Sequence, residues 1–250
     1  MSKKKSQKRT KNEERGFSNY SYYRGKKGDT SHILGIDFTK NTEQRELIRL
    51  MNDNDTPVIC CLGDAGTGKT FTAVAAAIDL VKIQRKYSKI YYIREPLEVG
   101  KSLGFMPGDL GDKYGVYLGG LEDNLENISR FSGINKNDMK YCIECIPPQF
   151  TRGRSWEDAI IIVDEAQNLS LDTIQTLVTR LGKYCKIVFL GSMNQIDIRN
   201  KTKEDNDFKT SIEILKTIKE PIFGFVELVQ SERSEYCKIL DEAFTNYKNK

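Results

Sequence analysis

The stretch V-I-C-C-L-G-D-A-G-T-G-K-T-F, residues 58–71, contains Gly63, Gly68, Lys69 and Thr70 in the spacing G-x-x-x-x-G-K-[ST]. Residue types at that spacing hold phosphate. Glycines let successive backbone N–H groups turn inward at the positive end of a helix, where anionic oxygens collect. Lys69 then neutralises the β- and γ-phosphates, and Thr70 offers its hydroxyl to Mg²⁺. The whole loop, Gly63, Asp64, Ala65, Gly66, Thr67, Gly68, Lys69, Thr70 and Phe71, is therefore the expected nucleotide-binding segment.

A metal-bound phosphate needs a second carboxylate site. Four apolar residues, Ile160–Val163, run into Asp164 and Glu165, so a buried strand would end in two acids at the carboxyl edge of its sheet. Ligands bind at that edge in open α/β sheets. Asp164 is placed to hold Mg²⁺, and Glu165 to orient or deprotonate an attacking water. The pair favours hydrolysis over transfer, since a kinase must exclude water and has no use for a base aimed at it.

The elements around these residues follow from periodicity. Continuous apolar runs at Pro57–Leu62, Lys89–Ile93, Tyr141–Ile146, Ala159–Val163, Lys186–Leu190 and Phe225–Val229 predict strands, and those without alternation suit parallel strands covered on both faces. Helical spacing predicts helices over Gln44–Met51 with Thr42 as N-cap, Thr70–Val81, Leu171–Leu181 behind Ser170, and Glu235–Tyr247. Alternating strands and helices imply an α/β fold with a mostly parallel sheet flanked by helices. Residues 32–250 read as one domain, with a Gly-rich insertion at about 97–140.

Composition narrows the setting. The chain has 250 residues and a net charge of +4. Residues 1–31 carry ten Lys/Arg against three Asp/Glu, which leaves 32–250 at −3. This basic tail, with Phe17, Tyr20, Tyr22 and Tyr23 among its cations, is expected to be disordered alone. It reads either as a nucleic-acid arm, phosphates met by Lys/Arg and bases stacked on tyrosines, or as a solubilising tail. No apolar run is long enough to span a membrane and no secretory leader opens the chain, so the expected location is cytoplasmic. The six cysteines are then reduced thiols. Cys142-x-x-Cys145 has no second pair, and His32 is the single histidine, so zinc is not expected.

With the motifs assembled, the chain resembles the PhoH-like ATPases. The likeness is carried by F-T-R-G-R-S-W-E-D-A at 150–159, I-I-V-D-E-A-Q-N-L-S at 161–170, L-G-F-M-P-G-D-L at 103–110, T-R-L-G at 179–182 and G-S-M-N-Q-I-D at 191–197. The resemblance implies a RecA-like P-loop fold related to helicases, ATP and Mg²⁺ as ligands, and RNA or single-stranded DNA as partner. By the same resemblance Gln44 meets adenine, Gln195 senses the γ-phosphate, and Arg233 acts as a finger on it. Arg94, Arg152, Arg154 and Arg180 also match family positions, with either structural roles or contacts to phosphate or RNA. Two departures stand out: Ser192 where the family has Asp, and S-E-R-S around Arg233.

Helicases of this relationship place ATP between two lobes, and this chain has length for one. The finger must come from the lobe's own edge or from another subunit. A head-to-tail homo-oligomer, plausibly a hexameric ring in which Arg233 completes a neighbour's site, is the expected assembly. The alternative is an oligomeric switch acting on a protein partner. Residues 1–40 are too short and too basic for the RNA-cutting domain joined to some relatives, so no nuclease is expected.

Overall fold

The computed structural model describes residues 30–96, 118–193 and 206–248. A small hairpin, β1 (His32–Ile33) and β2 (Ile36–Asp37), leads into α1 (Thr42–Asn52). There follow β3 (Val58–Gly63), α2 (Lys69–Ile78), β4 (Lys89–Arg94), α3 (Gly119–Ser132), α4 (Lys136–Lys140), β5 (Ile143–Ile146) and β6 (Ala159–Asp164). The chain continues through α5 (Leu171–Thr179), β7 (Cys185–Gly191), α6 (Asp207–Lys216), β8 (Phe223–Leu228) and α7 (Glu235–Lys248).

Six strands form one sheet in the order β5-β4-β6-β7-β3-β8, every neighbouring pair parallel. This is the RecA-like arrangement of a P-loop fold: β7 lies between the strand that leads into the phosphate loop and the strand that ends in Asp164. Both faces are covered, which is why the strands read as unbroken apolar runs. Along β6, Ile160 and Ile162 face a core built with α1, α2 and α3, while Ile161 and Val163 face one built with α5 and α6.

All six expected strands are present, with ends moved by one or two residues. The third begins at Ile143 because Tyr141 and Cys142 still belong to the turn that ends α4. Helix α1 is capped by Asn41 rather than Thr42: the Asn41 side chain accepts the Gln44 N–H at 3.0 Å, and Thr42 is the first helical residue. Helix α2 stops being α-helical at Ile78 and finishes in a π-turn over Asp79–Ile83. Helix α5 ends at Thr179, because Leu181 is drawn into a bridge with Trp156.

The expected insertion divides. Residues 97–117 lie outside the described residues, whereas 118–140 carry α3 and α4. Leu121, Leu125 and Ile128 of α3 pack into the core beside α2. The expected tail falls outside the described residues up to residue 29.

Candidate functional site

The expected chemistry converges at the carboxyl edge of the sheet, where β3, β6, β7, β4 and β8 all end. The loop after β3 holds its shape through two glycines in the left-handed region, Gly66 at φ +83° and Gly68 at φ +82°. Such dihedrals are open to glycine without a Cβ penalty. Gly68 caps α2, so the loop hands directly into that helix's N-terminus. Thr67 closes the turn, its N–H and Oγ1 both donating to the Asp64 carbonyl at 3.3 and 2.9 Å.

Lys69 curls back over this loop, its Nζ donating to the carbonyls of Gly63 at 2.6 Å and Asp64 at 2.9 Å. Burial lowers the pKa of its ammonium, against the pull of neighbouring acidic groups. Thr70 Oγ1 donates to Asp164 Oδ1 at 3.0 Å, so the loop hydroxyl and the strand-end carboxylate expected to share a cation already touch. Oxygen donors of this kind suit a hard divalent ion. The cleft they line, about 300 Å³, also takes in Ala65, Gly66, Phe71 and Glu165. Its loop, cation and acid pair fit a magnesium-bound nucleoside triphosphate.

The acid pair is closely held. Tyr92 on β4 donates its hydroxyl to Asp164 Oδ2. Burial, and then the adjacent carboxylate, push the tyrosine pKa well above its ordinary value, so it stays a donor. Arg94, two residues on, stands 3.8 Å from both Asp164 and Glu165. Burial works against its charge, but the two acids and Tyr92 outweigh it and raise its pKa. Glu165 sits in the left-handed region at φ +53°, and Gln167 Nε2 donates to its Oε2 at 2.6 Å. Burial, then the charge of Asp164, raise the Glu165 pKa. A raised carboxylate pKa is what a base working near neutral pH requires.

Two expected residues both touch the phosphate loop. Gln44 is buried, and its Nε2 donates to the Thr67 carbonyl at 3.0 Å, so its amide holds the phosphate loop. Arg233 follows β8 and lies across its own loop: a Cβ on Gly66 would come within 2.3 Å of it. The Glu232 N–H also donates to the Gly66 carbonyl at 2.8 Å. The arginine meets the loop of its own chain, because the chain leaving β8 is pinned there. Glu43 accepts from the N–H groups of Val229 and Gln230, and Asn41 donates to Glu232. Gln195 lies outside the described residues.

Of the other arginines singled out, Arg154 pairs with Glu144 at 2.8 Å and Arg180 donates to the Arg154 carbonyl, both structural contacts. Tyr92 and Asn124, which lines the cleft from α3, escaped sequence reasoning. A tyrosine in an apolar strand and an asparagine in a polar helix carry no signal of their own.

The chain is similar to a known family and to several curated proteins. The family described as PhoH-like protein matches residues 38–245. Protein PhoH2 of Bacillus subtilis (strain 168) is 35% identical over 215 residues, 84% of this chain and 48% of that protein. A PhoH-like protein of the same organism is 37% identical over 164 residues, 66% of this chain and 50% of its own length. The PhoH-like protein of Synechocystis sp. is 31% identical over 210 residues, covering 84% of this chain and 62% of that one. The chain thus spans about half the length of the curated relatives it matches. Among solved structures, the Pif1 helicase from Candida albicans is 15% identical with a TM-score of 0.40, covering 82% of this chain and 42% of that one. Among the described residues no helix is long and apolar enough to cross a membrane. With the family matched from residue 38 to residue 245 of 250, the chain belongs to the PhoH-like protein family.

Proposed function

We propose that the chain is a Mg²⁺-dependent ATPase that couples hydrolysis to RNA or single-stranded DNA. One observation carries the enzymatic part: Thr70 is hydrogen-bonded to Asp164 in the same cleft that Lys69 and Glu165 line. Thr70 and Asp164 would hold Mg²⁺, which supplies charge neutralisation on the β- and γ-phosphates. Lys69 exchanges its two loop carbonyls for phosphate oxygens. Glu165 accepts the proton of the attacking water, and Arg233 steadies negative charge over the loop. Residues 32–250 form the ATPase domain, residues 1–31 serve as a basic arm for nucleic acid, and the chain works in the cytoplasm.

The test is ATP turnover with and without single-stranded RNA and DNA. Turnover rises when nucleic acid is added, and that rise disappears when residues 1–31 are deleted. Lys69→Ala abolishes nucleotide binding, whereas Glu165→Gln retains binding and stops turnover. Normal turnover by Glu165→Gln would refute its assigned role.

A second reading has its own observation. Helix α7 exposes Tyr236, Ile239, Leu240 and Tyr247, an apolar set that favours a protein partner. In that reading the chain is a nucleotide-dependent oligomeric switch that assembles as a hexamer. ATP turnover unmoved by any nucleic acid, together with ATP-dependent assembly by mass photometry, selects it.

A further inference from the structure

A chain of hydrogen bonds joins the phosphate loop to Glu165 without passing through the nucleotide cleft. It begins at Asp64, an exposed residue of the loop, whose Oδ1 accepts from Ser192 Oγ at 3.3 Å. Ser192 follows directly on β7, the strand between the loop strand β3 and the acid strand β6. Its backbone N–H donates to Gln167 Oε1 at 3.1 Å. Gln167 Nε2 in turn donates to Glu165 Oε2 at 2.6 Å.

The orientation of the Gln167 amide is settled by its neighbours. A backbone N–H on one side requires the amide oxygen, and a carboxylate on the other requires the amide nitrogen. Both middle members are buried, Ser192 at 1% exposure and Gln167 at 0%. There a hydrogen bond is electrostatically stronger than in water, and losing one partner is costly. The turn is fixed from a third side, since Asn206 Nδ2 donates to the Gln167 carbonyl at 2.9 Å.

The acid at the end of this chain needs such support. Glu165 occupies a left-handed backbone conformation, and a non-glycine residue there persists only where its surroundings over-determine it. The Gln167 amide holds its carboxylate by a direct hydrogen bond, with Arg94 3.8 Å away on the other oxygen. Asp64, at the other end, belongs to the loop whose carbonyls Lys69 now occupies. When Lys69 exchanges those carbonyls for phosphate, the Asp64 backbone loses that bond, and its side chain is one hydrogen bond from Ser192.

We propose that Ser192 and Gln167 are positioning residues that carry the state of the phosphate loop, through Asp64, to the Glu165 carboxylate. The inference rests on the ATPase reading and extends it: taking up phosphate is coupled to the aim of the base. It also gives Ser192 a role as the hydroxyl that reads the loop, at the position where the family resemblance leads one to expect an aspartate.

The test uses the full chain with Ser192→Ala, Asp64→Ala, their double variant and Gln167→Met. Turnover is measured with ATP, binding with a fluorescent ATP analogue, and amide hydrogen exchange over 165–168 and 192 with and without a non-hydrolysable ATP analogue. Ser192→Ala removes the hydroxyl but keeps the N–H to Gln167, so it stays informative if Gln167→Met folds poorly. The expected result is a kcat lower by about 10- to 100-fold, the scale of a small misplacement of a reacting group, with nucleotide affinity within about twofold of wild type. The double variant loses no more than the worse single one, as residues in one relay do. Analogue-induced protection at 165–168 appears in wild type and disappears in Ser192→Ala.

Full kcat and full protection in Ser192→Ala would overturn the relay, as would strictly additive losses. A wild type that shows the exchange response without turnover would overturn the ATPase reading and leave the relay standing. A wild type showing neither response nor turnover would overturn both.

Discussion

Arg233 rests on Gly66 of its own phosphate loop, so closely that a β-carbon on that glycine would meet the arginine side chain at 2.3 Å. The contact sets the arginine against the loop of its own chain, and complementation distinguishes action there from action in a shared site. Arg233→Ala is expected to lower turnover by about 10³-fold, the scale of a lost transition-state arginine. Mixed in equal amounts with Lys69→Ala, it recovers nothing, because each chain lacks a group that its partner cannot lend. Recovery in the mixture would show the arginine acting on a neighbour.

Gln44 grips the Thr67 carbonyl, a contact that predicts a hold on the loop in addition to, or in place of, the expected reading of adenine. Replacing it with leucine is expected to raise KM for ATP and GTP alike by about fivefold, the equivalent of one ordinary hydrogen bond. Steady-state kinetics with both nucleotides checks this. A loss confined to ATP would put the amide on adenine after all.

Tyr92 donates to the carboxylate expected to hold the cation. Tyr92→Phe keeps the ring in its buried place and removes only the hydroxyl. Because groups behind a metal ligand orient it, their loss typically weakens metal binding by 10–100-fold. The Mg²⁺ concentration for half-maximal turnover is therefore expected to rise about tenfold, with the thermal midpoint little changed.

Lys186 is fully buried on β7, its ammonium donating to the carbonyls of Leu50, Asp53 and Thr56. Lys186→Met leaves those acceptors unpaired and is expected to destabilise the fold by roughly 1–3 kcal/mol near neutral pH. Burial also brings its pKa from 10.5 down to about 8. Between those values the unfolded chain binds the extra proton, so this group's contribution to stability rises with pH. Urea unfolding at pH 8 and pH 10 should show the gap between wild type and variant widening at the higher pH.

Much of this was legible in the sequence, and the part that was not has physical causes. The strands β3, β6 and β7 are apolar on both faces because the sheet is covered on both sides, so their runs stand out without any knowledge of the fold. Gly63 to Thr70 and Asp164–Glu165 are legible because phosphate and metal binding constrain residue type within a short stretch. The hold on those acids is different. Tyr92 and Arg94 arrive from a neighbouring strand and Ser192 from another, and only tertiary structure brings them together. Helix α6 was not among the expected elements, although Phe208, Ile212 and Leu215 keep helical spacing and pack on the core beside β7. The cis placement of Arg233 depends on the turn after β8, which Glu43 and Asn41 hold from nearly two hundred residues away in sequence.

Helix α1 is fastened at both ends, to the phosphate loop through Gln44 and to β7 through the ammonium of Lys186. A rod braced in this way resists tilting. Between the braced Thr67 and the first residue of α2 stands Gly68 alone, and Gly66 on the other side is held by the Glu232 N–H. The phosphate loop is thereby tied to a frame that reaches from α1 into β7, the strand that delivers Ser192.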